Sequence, residues 1–406
     1  MSTPLLPLRR VFKVINGGTP TPDEINWDGD VPWATPADFG PQLSSINTTR
    51  RTLSGVGVRT GSTVVPQGAL LISTRAPVGY VAVASQAMAF NQGCRALVPH
   101  ASTDTRFFGY QLEAKKSDLQ AEGLGTTFLE LSSDKLAAFR VHVPSFEEQR
   151  RIADFLDAET ARIDGLTQLR SRQADLLDER CGLALDEAFQ KSTYEPTRLK
   201  YLLAIKPRYG VLVPQFSDSG VRFIRVNDLL DLPGRAESLA KIPDELSAQY
   251  ARTVTRPGDV LLSVVGTMGR SAVVPSQLAG ANVARAVASL RARRGVSPEL
   301  LATWLTTPSF LRQALDATGS DTAQPTLGME DLSKFKLSWP VDERGREELL
   351  LITSTIRRHQ RELTGVLEAQ RRVLAERRQA LITAAVTGQF DVSTASGRNV
   401  TDGVTA

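Results

Sequence analysis

The sequence predicts a mixed α/β (α+β) chain in which two similar globular domains are separated by two long helices that form an antiparallel coiled coil. Three observations point there. A pattern from the first half of the chain recurs in the second; each copy leads through a proline into a segment of heptad spacing; and the two heptad segments bear opposite net charge. The 406 residues are too many for one ordinary core and suit about two to four units. With 41% hydrophobic and 23% charged residues, the composition is that of a folded globular protein.

The first domain is assigned to residues 1–145 and the second to residues 193–342. Val65-Pro-Gln-Gly-Ala-Leu-Leu-Ile-Ser73, six residues before Gly79, answers Arg256-Pro-Gly-Asp-Val-Leu-Leu-Ser263, six residues before Gly269, and both Ser and Gly are displaced by 190. Leu136-Ala-Ala-Phe139 followed by Pro144 answers Leu332-Ser-Lys-Phe335 followed by Pro340, displaced by 196. A drift of that size is what loop insertions produce, and the repeat is too long for a solenoid unit. Short β-type runs at residues 70–73, 80–83 and 260–265 are punctuated by Gly and Pro turns, and residues 107–116 and 298–305 read as short helices.

The first long helix is assigned to residues 146–192. Ser145 is placed as N-cap with Glu148 three residues on, the pattern of a capping box. Ile152, Leu156, Glu159, Ile163, Leu166, Arg170, Gln173, Leu177 and Arg180 then alternate at four and three, a heptad seam. The second long helix, residues 343–390, repeats the spacing with Ile352, Ile356, His359, Leu363, Val366, Gln370, Val373, Arg377 and Ala380. Helices of about 44 residues extend roughly 66 Å and need a partner for their apolar face. Residues 391–406, rich in Ser, Thr, Gly and Asn, read as a disordered tail.

The first helical segment carries six basic against eleven acidic residues over positions 147–190, and the second nine against six over 343–390. Opposite charge favours pairing within the chain; two separate homodimeric coiled coils are the alternative. The whole chain is only +4, weak support for a nucleic-acid partner. Arginine outnumbers lysine 38 to 10, which suits bidentate phosphate and guanine contacts but also follows from a GC-rich genome.

Two cysteines cannot build a disulfide framework, no signal peptide is recognised, and no stretch approaches the ~18 apolar residues of a membrane span. A cytoplasmic protein is expected, with no membrane partner. The three histidines, His100, His142 and His359, stand at no metal-ligand spacing, so no metal site is expected. There is no phosphate-binding Gly-x-x-x-x-Gly-Lys-Ser/Thr loop, no Gly-x-Ser-x-Gly elbow and no Asn/Asp-Pro-Pro-Tyr/Phe motif. The chain is expected to be non-catalytic.

Phe12-Lys-Val-Ile-Asn-Gly17-Gly18-Thr19-Pro20, Trp27-Asp-Gly-Asp-Val-Pro32-Trp33-Ala-Thr35, Ile72-Ser-Thr-Arg75-Ala-Pro-Val-Gly79 and Asn91-Gln92-Gly93 resemble a target recognition domain. Gly125-Thr126-Thr127-Phe128, Pro144-Ser-Phe-Glu-Glu148-Gln149 and the C-terminal Arg377-Arg-Gln-Ala-Leu-Ile382-Thr-Ala-Ala-Val386-Thr387-Gly388 continue the pattern. Together, and doubled, they resemble the DNA specificity (S) subunit of type I restriction–modification enzymes over nearly the whole chain. The second half departs from the first: Lys206-Pro-Arg-Tyr209-Gly210 stands for Gly-Gly-Thr-Pro, and Val265-Gly266-Thr267-Met268-Gly269-Arg270 stands for Arg75-Ala-Pro-Val-Gly79. This resembles the family's other domain variant and implies a different half-site.

The resemblance implies a bipartite, asymmetric site on double-stranded DNA, each domain reading one part and the paired helices fixing their separation. It implies two methyltransferase (modification) subunits docked on the helices and restriction/translocase subunits beside them. S-adenosylmethionine, ATP and magnesium would belong to those partners, with no cofactor bound by this chain. Candidate DNA-binding residues, chosen as donors on short or forked side chains and as close-approach glycines, fall in both domains. In the first they are Lys13, Asn16, Gly17, Gly18, Thr19, Thr35, Thr74, Arg75, Gly79, Tyr80, Asn91, Gln92, Thr126 and Thr127. In the second they are Arg208, Tyr209, Arg225, Asn227, Thr267, Arg270 and Arg285. The competing view is that the glycines are turns and that Trp27 and Trp33 are core. Rival functions are a coiled-coil scaffold with protein-binding ends and a self-sufficient restriction–modification enzyme.

Overall fold

The structure is a computed structural model that describes residues 4–123, 130–191, 194–318 and 325–392. It resolves into two compact units, Met1–Leu169 with Ala369–Ala406, and Arg170–Glu368. Each long helix, Phe146–Phe189 and Glu343–Val386, contributes one half to each unit.

In the first unit a five-stranded sheet runs in the order Phe12–Asn16, Cys94–Pro99, Leu70–Ser73, Val81–Ala84, Ser44–Ile46. Its middle strand is the buried run that the sequence marks, and residues 70–72 are apolar because both faces are covered. Successive side chains alternate faces. Leu70 and Ile72 enter a core with Phe107, Phe108 and Leu112 of the helix Thr105–Ala114, while Leu71 enters another with Val65, Met88 and Phe90. A four-stranded sheet around Trp27–Ala34 completes this side. There Trp27 and Trp33 pack edge to face at 5.0 Å in a small core of their own.

The second unit repeats the frame. Val260 and Leu262 enter the core shared with Leu300, Trp304 and Phe310, and Leu261 enters the core of Leu278 and Val283. The correspondence reaches single hydrogen bonds. The Ser73 N–H donates to the Tyr80 carbonyl and the Ser263 N–H to the Arg270 carbonyl, both at 2.8 Å. In return the Tyr80 and Arg270 N–H groups each donate to that serine's Oγ at 2.9 Å. Gly79 and Gly269 close the two turns at the same φ of +84°, where a side chain would be strained. The carboxylates of Asp38 and Asp228 likewise accept from the N–H three residues before them, Thr35 at 2.8 Å and Arg225 at 2.9 Å.

The two long helices pair antiparallel within each unit. In the first, Ile152, Leu156 and Ile163 share a core with Leu381, Ile382 and Ala385. In the second, Ala188 and Phe189 share one with Leu349, and Asp178 accepts from Gln360 at 2.8 Å. The first helix opens with half of the expected capping box, the Glu148 N–H donating to Ser145 Oγ at 3.3 Å.

The heptad spacing is present, but the expected seam is displaced along much of it. On the first helix Thr160 is buried and Thr167 is half-buried, whereas Leu166 and Gln173 are exposed. On the second helix Thr353 and Arg378 are buried, whereas His359, Leu363, Val366, Gln370, Val373 and Ala380 are exposed. Polar groups occupy the inner face because their hydrogen bonds are met there: Thr160 and Thr353 donate to the carbonyls of Leu156 and Leu349. Among the described residues no helix is long and apolar enough to cross a membrane.

Candidate nucleic-acid interface

In the first unit, four of the expected residues belong to one polar cluster. Asn16 ends the strand Phe12–Asn16, and its Oδ1 accepts from Ser133 Oγ at 2.6 Å. That hydroxyl in turn accepts from Arg95 Nε at 2.7 Å. Arg95 also donates to the Gln92 carbonyl at 2.8 Å, and its guanidinium lies 3.8 Å from Glu130. Glu130 is shared with Arg75, whose Nε is 3.3 Å away. Thr19 donates to Gln92, closing the cluster. Arg95 is largely buried, and burial lowers its pKa below the ordinary value, an effect opposed by Glu130. Arg75 is half exposed and can exchange Glu130 for another anion, so Arg95 holds the frame and Arg75 is the free arm.

Other expected residues of this unit have framework roles. Thr74 is fully buried; its Oγ1 donates to the Gly93 carbonyl at 3.1 Å and its own carbonyl accepts from Leu131. Thr35 donates to Asp38 at 2.7 Å, and Asn91 Oδ1 accepts from the Gly93 N–H at 3.0 Å. At Gly17 a Cβ would meet the Asn91 carbonyl at 2.2 Å, and at Gly18 the Gly61 carbonyl at 2.3 Å. These glycines let two backbone segments touch. Tyr80 lies under Lys116, whose Nζ is 5.1 Å from its ring, and Lys13 is exposed on its strand. Thr126 and Thr127 lie outside the described residues.

The second unit builds a different set on the same frame. Arg270 reaches Asn227 Oδ1 at 2.9 Å. Arg225 and Arg235 converge on buried Asp228, at 3.3 and 3.7 Å. Arg208 is tied to the Arg252 carbonyl at 2.8 Å. Tyr209 donates to the Leu327 carbonyl at 2.7 Å; burial raises its hydroxyl pKa, and Arg285 nearby acts the other way. Thr267 and Arg285 are exposed. Arg95, Glu130 and Ser133 were not among the expected residues, nor were Asp228 and Arg235. Arg95, Glu130 and Ser133 each lie within a few residues of a quoted motif, but the bond joining Ser133 to Asn16 spans 117 positions and leaves no local signal.

Both faces offer fixed hydrogen-bond donors and acceptors, and on each two guanidinium groups share one carboxylate, the chemistry that reads a polar, anionic surface. The family model for the type I restriction modification DNA specificity domain matches residues 6–172. The type I restriction enzyme MjaIX specificity subunit of Methanocaldococcus jannaschii is 30% identical over 177 residues, 42% of this chain and 40% of that protein. The EcoBI specificity subunit of Escherichia coli is 29% identical over 282 residues, 63% of this chain and 59% of its own length. The chain thus matches about two-fifths to three-fifths of these relatives' length. A solved chain from work on complex assembly and conformational transition of the type I R-M system shares the fold, with a TM-score of 0.68 at 18% identity over 96% of this chain and 100% of that one. Residues 6–172 thus match the type I restriction modification DNA specificity domain, and the chain is similar to type I restriction enzyme specificity subunits over part of its length.

Proposed function

We propose that this chain is the sequence-specific DNA-binding subunit of a type I restriction–modification complex. It reads a bipartite, asymmetric duplex site and directs adenine methylation and restriction carried out by partner subunits, without catalysing either step itself. The observation that carries this reading is one backbone frame used twice with unlike side chains. The first unit carries Arg75–Glu130–Arg95–Gln92, and the second carries Arg270–Asn227 with Arg225–Asp228–Arg235. One frame with two different polar surfaces fits two different half-sites.

Two methyltransferase subunits would bring S-adenosylmethionine, and restriction/translocase subunits would bring ATP and magnesium. Docking on the long helices is supported by Leu169, Leu176 and Leu183, exposed at 60, 47 and 55% and spaced seven apart on one stripe of the first helix. The test has two arms. The full chain should bind duplex DNA with an affinity that falls steeply with salt. In cells carrying the partners, the mapped methylated adenines should define a split, asymmetric motif. Salt-insensitive binding, or methylation unchanged by deleting this chain, would refute the proposal.

A further inference from the structure

We propose that the loop Leu212–Phe216 of the second unit is an apolar wedge that inserts between base steps of bound duplex DNA; this rests on the DNA-binding reading above. Within five residues this loop holds Leu212, Val213 and Phe216 at 56, 74 and 59% exposure. Single exposed apolar side chains are ordinary on a protein surface, but three on one tip signal a partner.

The loop is rooted at both ends. Val211, fully buried, donates its N–H to the Val283 carbonyl at 2.8 Å and accepts from the Arg285 N–H at 2.9 Å. At the far end the Ser217 N–H donates to the Lys241 carbonyl at 3.0 Å. Gly210 permits the approach at the near end, since a Cβ there would lie 1.8 Å from the Val283 carbonyl. Pro214 stiffens the middle and the Phe216 ring leans on Phe223 at 5.9 Å. A short, stiff, apolar tip on a fixed base is what unstacking a base step requires.

The surroundings select nucleic acid over a protein groove. Arg208 precedes the tip, and Arg285 is bonded to its root. Lys241 stands at its other end, so an apolar point is flanked by cations. The first unit has the same root, with the Gly18 N–H donating to the Phe90 carbonyl at 3.0 Å, but continues as Thr19-Pro20-Thr21-Pro22. Only the second half-site would therefore be distorted.

The probe is duplex DNA selected by the full chain from a random-sequence pool, then made with 2-aminopurine at successive positions. On binding, fluorescence should rise at one step of one half-site. The double substitution Leu212→Ser, Val213→Ser, at exposed positions that leave the core intact, should abolish that rise and weaken binding about tenfold. An abasic nucleotide at the same step should restore most of the loss, because the unstacking is then already done. Tight binding with no 2-aminopurine response at any position, or a variant that binds as well as the parent, would overturn the wedge and leave DNA recognition standing. A chain that selects no duplex at all would overturn both.

Discussion

Arg75 and Arg95 sit on one carboxylate and do different work. Arg95 is boxed in by Ser133, the Gln92 carbonyl and Glu130, so its donors are spent inside the protein. Arg75 makes one ion pair from a half-exposed position, where such pairs stabilise little, and can surrender it to a phosphate. Arg75→Gln is expected to weaken duplex binding about tenfold and reduce the slope of log affinity against log salt by about one, with unfolding unchanged. A titration series at several salt concentrations checks this, and an unaltered slope would reassign Arg75. Thr74 shows what a single sequence hides. Its residue type suits a DNA contact, but whether the hydroxyl meets solvent or the Gly93 carbonyl depends on a turn nineteen residues away.

The long helices carry their chemistry on the inner face. Arg378, nearly inaccessible, bonds Glu113 of the short helix Thr105–Ala114, and its Nε lies 3.2 Å from Asp164 of the first long helix. Glu113 also accepts the Leu43 N–H at 2.9 Å, so one buried carboxylate ties the C-terminal helix to the first unit's globular part. Arg378→Met would strand Glu113 in a dry site and is expected to lower stability by about 3–5 kcal/mol; adding Glu113→Gln should return much of it. Urea unfolding of both variants measures this. The heptad period was legible because it follows from helix geometry, but the inward face was not. Periodicity reads hydrophobicity, and here Thr160 and Thr353, bonded to carbonyls of their own helices, and Arg378, ion-paired with Glu113, point inward while Leu166, Leu363 and Val373 point out.

At the scale of the whole chain, each long helix belongs in part to both units, which makes helix length the natural variable for the proposed two-part site. Removing one heptad from each helix shortens them by roughly 10 Å, about three base pairs of duplex rise. The expected result is a methylated motif with both half-sites intact and a shorter spacer. Sequencing of methylated sites in cells carrying the variant would show an unchanged spacer if helix length is not the determinant.

The sequence by itself determined the doubled architecture and the resemblance to type I restriction–modification specificity subunits. A strand buried on both faces must be written as an unbroken apolar run such as residues 70–72 and 260–262. A tight turn after it needs glycine at 79 and 269, and a helix needs its cap at Ser145; these are local demands that leave local marks. Tertiary structure alone decided which polar residues face outward. The Arg95–Ser133–Asn16 chain, the burial of Thr74 against the Gly93 carbonyl and the Arg378–Glu113 pair join positions from nineteen to 265 apart. Their roles come from the folded backbone placing those groups within bonding distance, and no spacing along the chain encodes that distance.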